Sequence, residues 1–281
     1  MNFDHIIGNP PYQDQSGDGG PRSGGYGGRD VWSEFVNKSL EVLKSNGRLV
    51  VVHPSKWRKP EHEMLKTLTE KQIHYLEIHS KNDGQRVFGA SVRYDWYVLE
   101  NVANYKPTVI KDETGKIIEL DLTKVPFIPN AEYEKIYSLV AKDDEERVKV
   151  LHSYSDYETR KKYMSDKQSE EFKYPVVHRM TKDGNIFWYS NRNDLGHFGV
   201  AKVILNFNEI LYPYNDWDGE YGMSQISFGI RISSKEEGEN IVDAINSYEF
   251  RKIIELTKWA TFQTEWRMFK YLKKDFWKEF I

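Results

Sequence analysis

The sequence predicts an α/β fold, with part of a doubly wound, Rossmann-like sheet in the first hundred residues and an α+β region after it. Three observations predict this. The chain has 281 residues, which is enough to bury a core in one large or two modest domains. Apolar runs typical of strands alternate with segments of helical spacing up to about residue 104. Beyond that point, charged segments and aromatic-rich strand formers follow without such alternation.

The first strand leads directly into a break. Phe3–Gly8 is a short apolar run that ends at Gly-Asn-Pro-Pro, which predicts a strand followed by a turn. A loop with seven glycines between Gly17 and Gly28 comes next. Apolar residues from Val31 to Leu43 then recur at helical spacing, and Asn46-Gly47 is expected to end that helix.

Three more strands and one more helix complete the predicted half-sheet. Residues 48–54 form an almost continuous apolar run, typical of a strand buried on both faces. Pro60 predicts the start of a helix with an apolar stripe at Met64, Leu65 and Leu68. Further strands are expected over 73–80 and 94–101.

The second part predicts a mixture of elements. We expect a hairpin over 106–122, a charged helix over 130–151, a polar helix or loop over 156–172, strands within 175–232 and two helices over 236–281. No internal repeat is apparent in the sequence.

Composition excludes several classes of protein. The formal net charge of −3 excludes a generally basic nucleic-acid coat, although not a local basic face. The absence of cysteine excludes a disulfide scaffold, a thiolate zinc site and a cysteine nucleophile. The histidines have no metal-binding spacing, so we predict no metal. We see no signal peptide and no apolar run of about 18 residues, and therefore expect an intracellular, cytoplasmic protein without membrane contact.

The informative motif is the tetrapeptide Asn9-Pro10-Pro11-Tyr12, which follows the first strand directly. An exocyclic base amine is a poor nucleophile because its lone pair is delocalised into the ring. The amide oxygen of Asn9 and the carbonyl of Pro10 can both accept the hydrogens of such an amine, and the prolines hold that carbonyl still. Tyr12 offers a flat face for a base turned out of its helix. A rigid Pro-Pro turn with Tyr12 as a core aromatic is the plainer alternative.

Three segments carry a family resemblance: FDHIIGNPPYQ, WSEFVNKSLEVLKSNGRLVVVHPSKWR and RYDWYVLE. They resemble amino-group DNA methyltransferases of the adenine-N6 type, above all the Eco57I-type restriction–modification methylases. The resemblance covers about residues 3–101. It implies a partial methyltransferase sheet in which Asn9, Pro10, Pro11 and Tyr12 form the catalytic motif, with 1–104 as the catalytic half-domain and 105–281 as the target-recognition, DNA-binding region. Cytosine-N4 methylation uses the same type of motif and stays open.

The methyl donor of that family is S-adenosylmethionine, which is expected near Asn9. Its glycine-rich binding turn usually precedes the tetrapeptide, and we find no such pattern elsewhere in this sequence. The first strand is therefore expected at an exposed sheet edge. A second protein chain, or a homo-oligomer, is the favoured source of the donor-binding half. A non-catalytic DNA-binding scaffold subunit that stimulates a complete enzyme, or an inactive truncated remnant, are the alternatives.

The candidate DNA contacts are basic residues in two regions. The glycine loop carries Arg22 and Arg29 and can act as a lid or as a plain surface loop. The last 31 residues carry eight basic against four acidic side chains, interleaved with aromatics. That pattern fits either a phosphate-contacting helix or an amphipathic helix with solvated lysines. The candidates are Arg22, Arg29, Arg192, Lys270, Lys273 and Lys274.

Overall fold

The computed structural model describes residues 2–13, 30–260 and 263–281. The chain divides into two compact units, which we call the N-terminal unit (Met1–Ala131 and Trp259–Thr261) and the C-terminal unit (Glu132–Lys258 and Phe262–Ile281). The sequence predicts a boundary near residue 104. By compactness the first unit extends further, because the hairpin that follows residue 104 joins the same sheet.

The N-terminal unit is built on a six-stranded sheet with the strand order β1-β2-β4-β3-β5-β6. Its strands are β1 (Phe3–Gly8), β2 (Leu43–Pro54), β3 (Lys71–His79), β4 (Tyr94–Ala103), β5 (Thr108–Lys111) and β6 (Ile117–Leu120). Its helices are α1 (Trp32–Val42), α2 (Glu63–Thr69) and α3 (Lys81–Phe88). The α/β class predicted from the sequence is confirmed.

A doubly wound half-sheet would be parallel throughout, whereas this sheet is mixed. β1 runs parallel to β2, and β3 parallel to β5, but β4 lies antiparallel between β2 and β3. An apolar run does not specify the direction of its strand, so this inversion could not be predicted from periodicity alone.

Local signals explain the helix boundaries. Helix α1 buries Trp32 and Val36 on one face. Helix α3 begins with a capping box in which Ser80 and Asp83 bond each other's backbone N–H groups. It ends at Gly89, whose positive φ of 69° suits a residue without a Cβ. Our prediction missed α3, since this helix has few apolar residues and a central glycine.

Strand β1 lies at the end of the sheet order, as the sequence predicts for an edge strand. Among the described residues it pairs with β2 alone. Its side chains are mostly exposed, including Phe3 at 43% and Ile7 at 81%. An apolar strand with an unpaired edge is a surface on which another strand can add.

The C-terminal unit has an α+β composition. One four-stranded sheet has the order β13-β9-β10-β8 and another the order β12-β11-β14-β7. The strands are β7 (Val150–Leu151), β8 (Met164–Ser165), β9 (Tyr174–Thr181), β10 (Gly184–Ser190), β11 (Lys202–Asn206), β12 (Tyr214–Asp216), β13 (Gly222–Met223) and β14 (Ser227–Arg231). The helices are α4 (Tyr133–Ser138), α5 (Lys235–Asn246) and α6 (Tyr248–Leu256).

Two helical predictions in this unit are wrong in extent. Only α4 is helical within the predicted helix 130–151, and beyond α6 the chain forms short 3₁₀ turns instead of a second long helix. A distant pairing joins the two segments: Val140 bridges Leu272 and Arg147 bridges Lys273, and a bridged residue cannot continue a helix. Within the described ranges, no helix is long and apolar enough to cross a bilayer.

Candidate functional site

The tetrapeptide Asn9–Tyr12 lies at the carboxyl end of β1. His53 and Pro54 at the end of β2 pair with the first residues of β4, and so does His79 at the end of β3. The ends of three strands and the start of a fourth therefore meet at one end of the sheet, which we call the carboxyl end of the sheet. Open α/β sheets bind their ligands at the carboxyl ends of their strands.

The tetrapeptide is open to solvent rather than packed into the interior. Asn9 and Pro11 are exposed, and Pro10 and Tyr12 are half-buried. The carbonyl of Tyr12 accepts a hydrogen bond from the backbone N–H of Val31 at 3.3 Å. This hydrogen bond holds the backbone at Tyr12, the last residue of the tetrapeptide. The side chain of Asn9, its first residue, stays accessible to solvent.

The ring of Tyr12 contacts an aromatic row. The Phe88 ring meets it edge to face, with centroids 6.4 Å apart and planes at 77°. Phe88 in turn meets Tyr94 at 4.9 Å, and His79 stacks on Tyr94 at 4.3 Å. Phe88 itself is 38% exposed, so one wall beside Tyr12 is apolar and accessible.

The hydroxyl of Tyr12 is buried and has no hydrogen-bond partner among the described residues. Burial raises the pKa of Tyr12 to about 12, and the neighbouring Tyr94 and Asp95 act in the same direction. The phenol is therefore neutral at physiological pH.

Helix α3 holds Phe88 in place through a close backbone contact. A Cβ added to Gly84 would lie 2.0 Å from the carbonyl oxygen of Val92, so only glycine permits this approach. The segment just before β4 is thereby packed directly against α3. Phe88, at the end of α3, is fixed relative to Tyr94, at the start of β4.

A buried ion pair stabilises the same carboxyl end of the sheet. Arg58 donates from Nε to Asp95 Oδ2 at 2.7 Å and from Nη2 to Oδ1 at 3.1 Å, and both side chains are fully buried. Trp57 Nε1 also donates to Asp95, at 2.8 Å. The remaining Arg58 donors reach Asn130 Oδ1 and the carbonyls of Ile128 and Pro129. Such a network fixes the turn after β2 relative to β4.

Histidine 53 lies buried at the end of β2. Its Nδ1 lies 3.0 Å from the carbonyl of Pro54 and its Nε2 3.1 Å from the hydroxyl of Tyr97. Burial lowers the pKa of His53 to about 4. The ring is stacked on Trp32 at 4.4 Å, and the indole N–H of Trp32 has no partner among the described residues. His53 is thus a neutral core residue beneath the site.

Four of the six basic residues predicted to contact DNA lie within the described residues, and each contacts a different neighbour. Arg22 and Arg29 lie outside the described residues. Arg192 forms a two-pronged ion pair with Asp194, and Lys270 lies over the Trp266 ring. Lys273 lies 3.5 Å from Glu145, and Lys274 lies 3.1 Å from Glu146. The DNA contacts of these four residues stay a prediction.

The sequence analysis did not predict Phe88 beside the tetrapeptide, nor the ion pair that Arg58 forms with Asp95. Phe88 follows a polar helix, and its only sequence signal is the position just before Gly89, where a helix end is expected. Within the described ranges, no group of three or more His, Asp or Glu side chains is arranged to hold a metal ion.

Residues 1–88 match the family model described as Eco57I restriction-modification methylase. This match falls on the part of the chain whose sequence resembles the restriction–modification methylases. No curated protein sequence matches the chain.

Solved structures with a similar course include restriction–modification enzymes. One is the Type IIL enzyme MmeI in complex with DNA, with 8% identity, a TM-score of 0.49, and coverage of 95% of this chain and 46% of that chain. Another is a nuclease-deletion mutant of the Type ISP enzyme LlaGI with a DNA substrate mimic, with 10% identity, a TM-score of 0.49, and coverage of 95% and 33%. The chain thus spans less than half the length of either protein.

Proposed function

We propose that this chain is the catalytic half of a DNA methyltransferase that methylates the N6 amino group of adenine. The observation that carries the proposal is the solvent-open tetrapeptide at the end of β1, with the Tyr12 ring held beside the accessible Phe88 ring. The family of residues 1–88 supports the same chemistry.

Two oxygen acceptors prepare the amine for reaction. The exposed Asn9 amide oxygen and the carbonyl of Pro10 accept the two hydrogens of the adenine amine. Acceptors at fixed angles favour a tetrahedral nitrogen, which localises the lone pair, and they stabilise the positive charge that develops as the methyl group arrives. Pro10 and Pro11 keep this geometry rigid because their φ angles are locked.

The target base must leave the duplex to reach these acceptors. Tyr12 offers its face to the extruded ring, and the partly exposed Phe88 ring meets the Tyr12 ring edge to face. Because the pKa of Tyr12 is raised to about 12, the phenol stays neutral beside the base and does not compete for its protons.

S-adenosylmethionine supplies the methyl group, but the described residues do not form a complete site for it. No described strand followed by a glycine-rich turn pairs with the free edge of β1. We propose that a second protein chain, or another copy of this one, adds a strand at that edge and carries the donor. The exposed side chains of Phe3 and Ile7 support such an interface.

The C-terminal unit is proposed to recognise the DNA target. Basic side chains there that can contact phosphates are Arg192, Lys270, Lys273 and Lys274, and Arg22 and Arg29 of the glycine loop are further candidates. The recognised sequence is not specified by these contacts, since phosphates carry no base identity.

The experiment is a methyl-transfer assay followed by identification of the product. The chain is incubated with labelled S-adenosylmethionine and an adenine-containing duplex, alone and with candidate partner chains, and the DNA is digested to nucleosides. Labelled N6-methyladenine is the expected product. Labelled N4-methylcytosine would overturn the adenine assignment, and DNA that stays unlabelled with every partner would overturn the catalytic role.

A further inference from the structure

An exposed tyrosine stands beside two cations in the C-terminal unit. Tyr154 is 56% exposed, and its hydroxyl accepts a hydrogen bond from Trp266 Nε1 at 3.3 Å. The Arg267 guanidinium lies 4.9 Å, and the Lys270 ammonium 4.7 Å, from the centroid of the Trp266 ring. We call these four residues, Tyr154, Trp266, Arg267 and Lys270, the aromatic–basic patch.

The patch rests on a fixed and uncharged support. The His152 ring meets Tyr154 edge to face at 4.4 Å and contacts Trp266 at 4.5 Å, while its Nδ1 lies 2.9 Å from the carbonyl of Ser227. Burial lowers the pKa of His152, and the nearby Arg267 and Lys270 lower it further. Tyr154 thus contacts the His152 ring and the Trp266 indole N–H, and His152 is neutral at pH 7.

The patch carries two cations, and the guanidinium of Arg267 is held in an ion pair with a carboxylate. Arg267 donates to this carboxylate, which belongs to Glu265, at 2.8 Å, and the contact orients its guanidinium across the indole. Cations over an indole keep their positive charge while their carbon chains pack on the ring. An accessible aromatic ring beside such cations is the combination with which proteins bind nucleic-acid strands: the ring stacks and the cations pair with the backbone.

We propose that the aromatic–basic patch contacts a DNA strand, with Lys270 and Arg267 at a phosphodiester and the Tyr154 ring against a neighbouring base or sugar. This inference rests on the proposed function, because it names where the C-terminal unit contacts the DNA substrate. It adds a contact by Tyr154, which sequence reasoning did not select.

The test measures DNA affinity of the full chain by fluorescence anisotropy over a series of salt concentrations. For Lys270→Ala, the plot of log affinity against log salt should become shallower by about 0.9, which corresponds to one lost phosphate contact. For Tyr154→Ala, affinity should fall about 5- to 150-fold with an unchanged slope, as expected for a lost stacking contact. Tyr154→Phe keeps the ring and should bind nearly as the unmodified chain does.

Lys278→Ala is the matched control, because the Lys278 ammonium also lies over an indole, 5.5 Å from the Trp277 centroid. It should leave affinity and slope unchanged. Melting curves establish that each variant is folded, and Lys270→Gln serves if Lys270→Ala is not. The patch is refuted if folded Lys270 and Tyr154 variants bind as the unmodified chain does, or if Lys278→Ala weakens binding equally. Failure of the unmodified chain to bind DNA at low salt would overturn the proposed function as well as the patch.

Discussion

Phe88 meets Tyr12 edge to face, with ring centroids 6.4 Å apart, although the two residues lie on different elements of the N-terminal unit. Tyr12 follows β1, and Phe88 ends α3. The contact joins the tetrapeptide to an aromatic side chain that is 38% exposed. We propose that a flat ligand contacts the protein here, beside the tetrapeptide.

The first prediction concerns the Phe88 ring beside Tyr12. Phe88→Ala should weaken capture of the extruded base about 5- to 150-fold, because one aromatic contact is lost. The measurement is the fluorescence of 2-aminopurine at the target position, which rises when that base leaves the stack. Val87→Ala is the control, since Val87 lies next to Phe88 in α3 and is 56% exposed. Equal fluorescence for Phe88→Ala and the unmodified protein would exclude Phe88 from the site.

The second prediction concerns the buried Arg58–Asp95 pair. Asp95→Asn should lower the free energy of unfolding by about 3 to 5 kcal/mol, because it leaves the Arg58 charge buried without its counter-ion. Urea denaturation measures this loss. The matched variant Glu41→Gln removes an exposed ion pair with Lys38 and should cost less than about 1 kcal/mol. A similarly small loss of unfolding free energy for Asp95→Asn would show that the buried pair does not stabilise the carboxyl end of the sheet.

The third prediction is a pH dependence of stability. The pKa of His53 falls from 6.5 to about 4 on folding because the ring is buried. Between these values the unfolded chain binds a proton that the folded chain does not, so stability is full above pH 6.5 and falls as the pH drops towards 4. The shift corresponds to about 3 kcal/mol for this residue.

The variant His53→Gln should flatten part of that dependence in urea titrations between pH 4 and 7. Part of the dependence should remain, because burial also lowers the pKa of His197 to about 4. If His53→Gln and the unmodified chain lose stability in parallel over this range, His53 is not neutral in the folded state.

The fourth prediction concerns the donor. The 281-residue chain alone should give no saturable heat of binding with S-adenosylmethionine up to about 1 mM, the upper end of usual KM values. The physical reason is that the second edge of β1 is unpaired among the described residues. No described strand that could carry the donor-binding turn lies there. Saturable binding in isothermal titration calorimetry would mean that this chain holds the donor without a partner.

Asn9 and Phe88 differ in how far their positions could be predicted from the sequence. An apolar run broken by Gly-Asn-Pro-Pro is a local signal, so the position of Asn9 at a strand end could be predicted. Phe88 could not, since its place beside Tyr12 depends on the contact between Gly84 and Val92. The same holds for the end of the chain, where Leu272 is extended because it bridges Val140, far away in sequence.

The central claim is that Asn9 accepts a hydrogen from the target amine, and a methyl-transfer assay with Asn9→Ala tests it most directly. The active combination of this chain and its partner should lose about 100- to 1,000-fold of its N6-methyladenine production, the loss typical of removing one group that stabilises transition-state charge. Gln13→Ala, at an exposed neighbouring position, should retain activity. Undiminished methylation by folded Asn9→Ala would contradict the account.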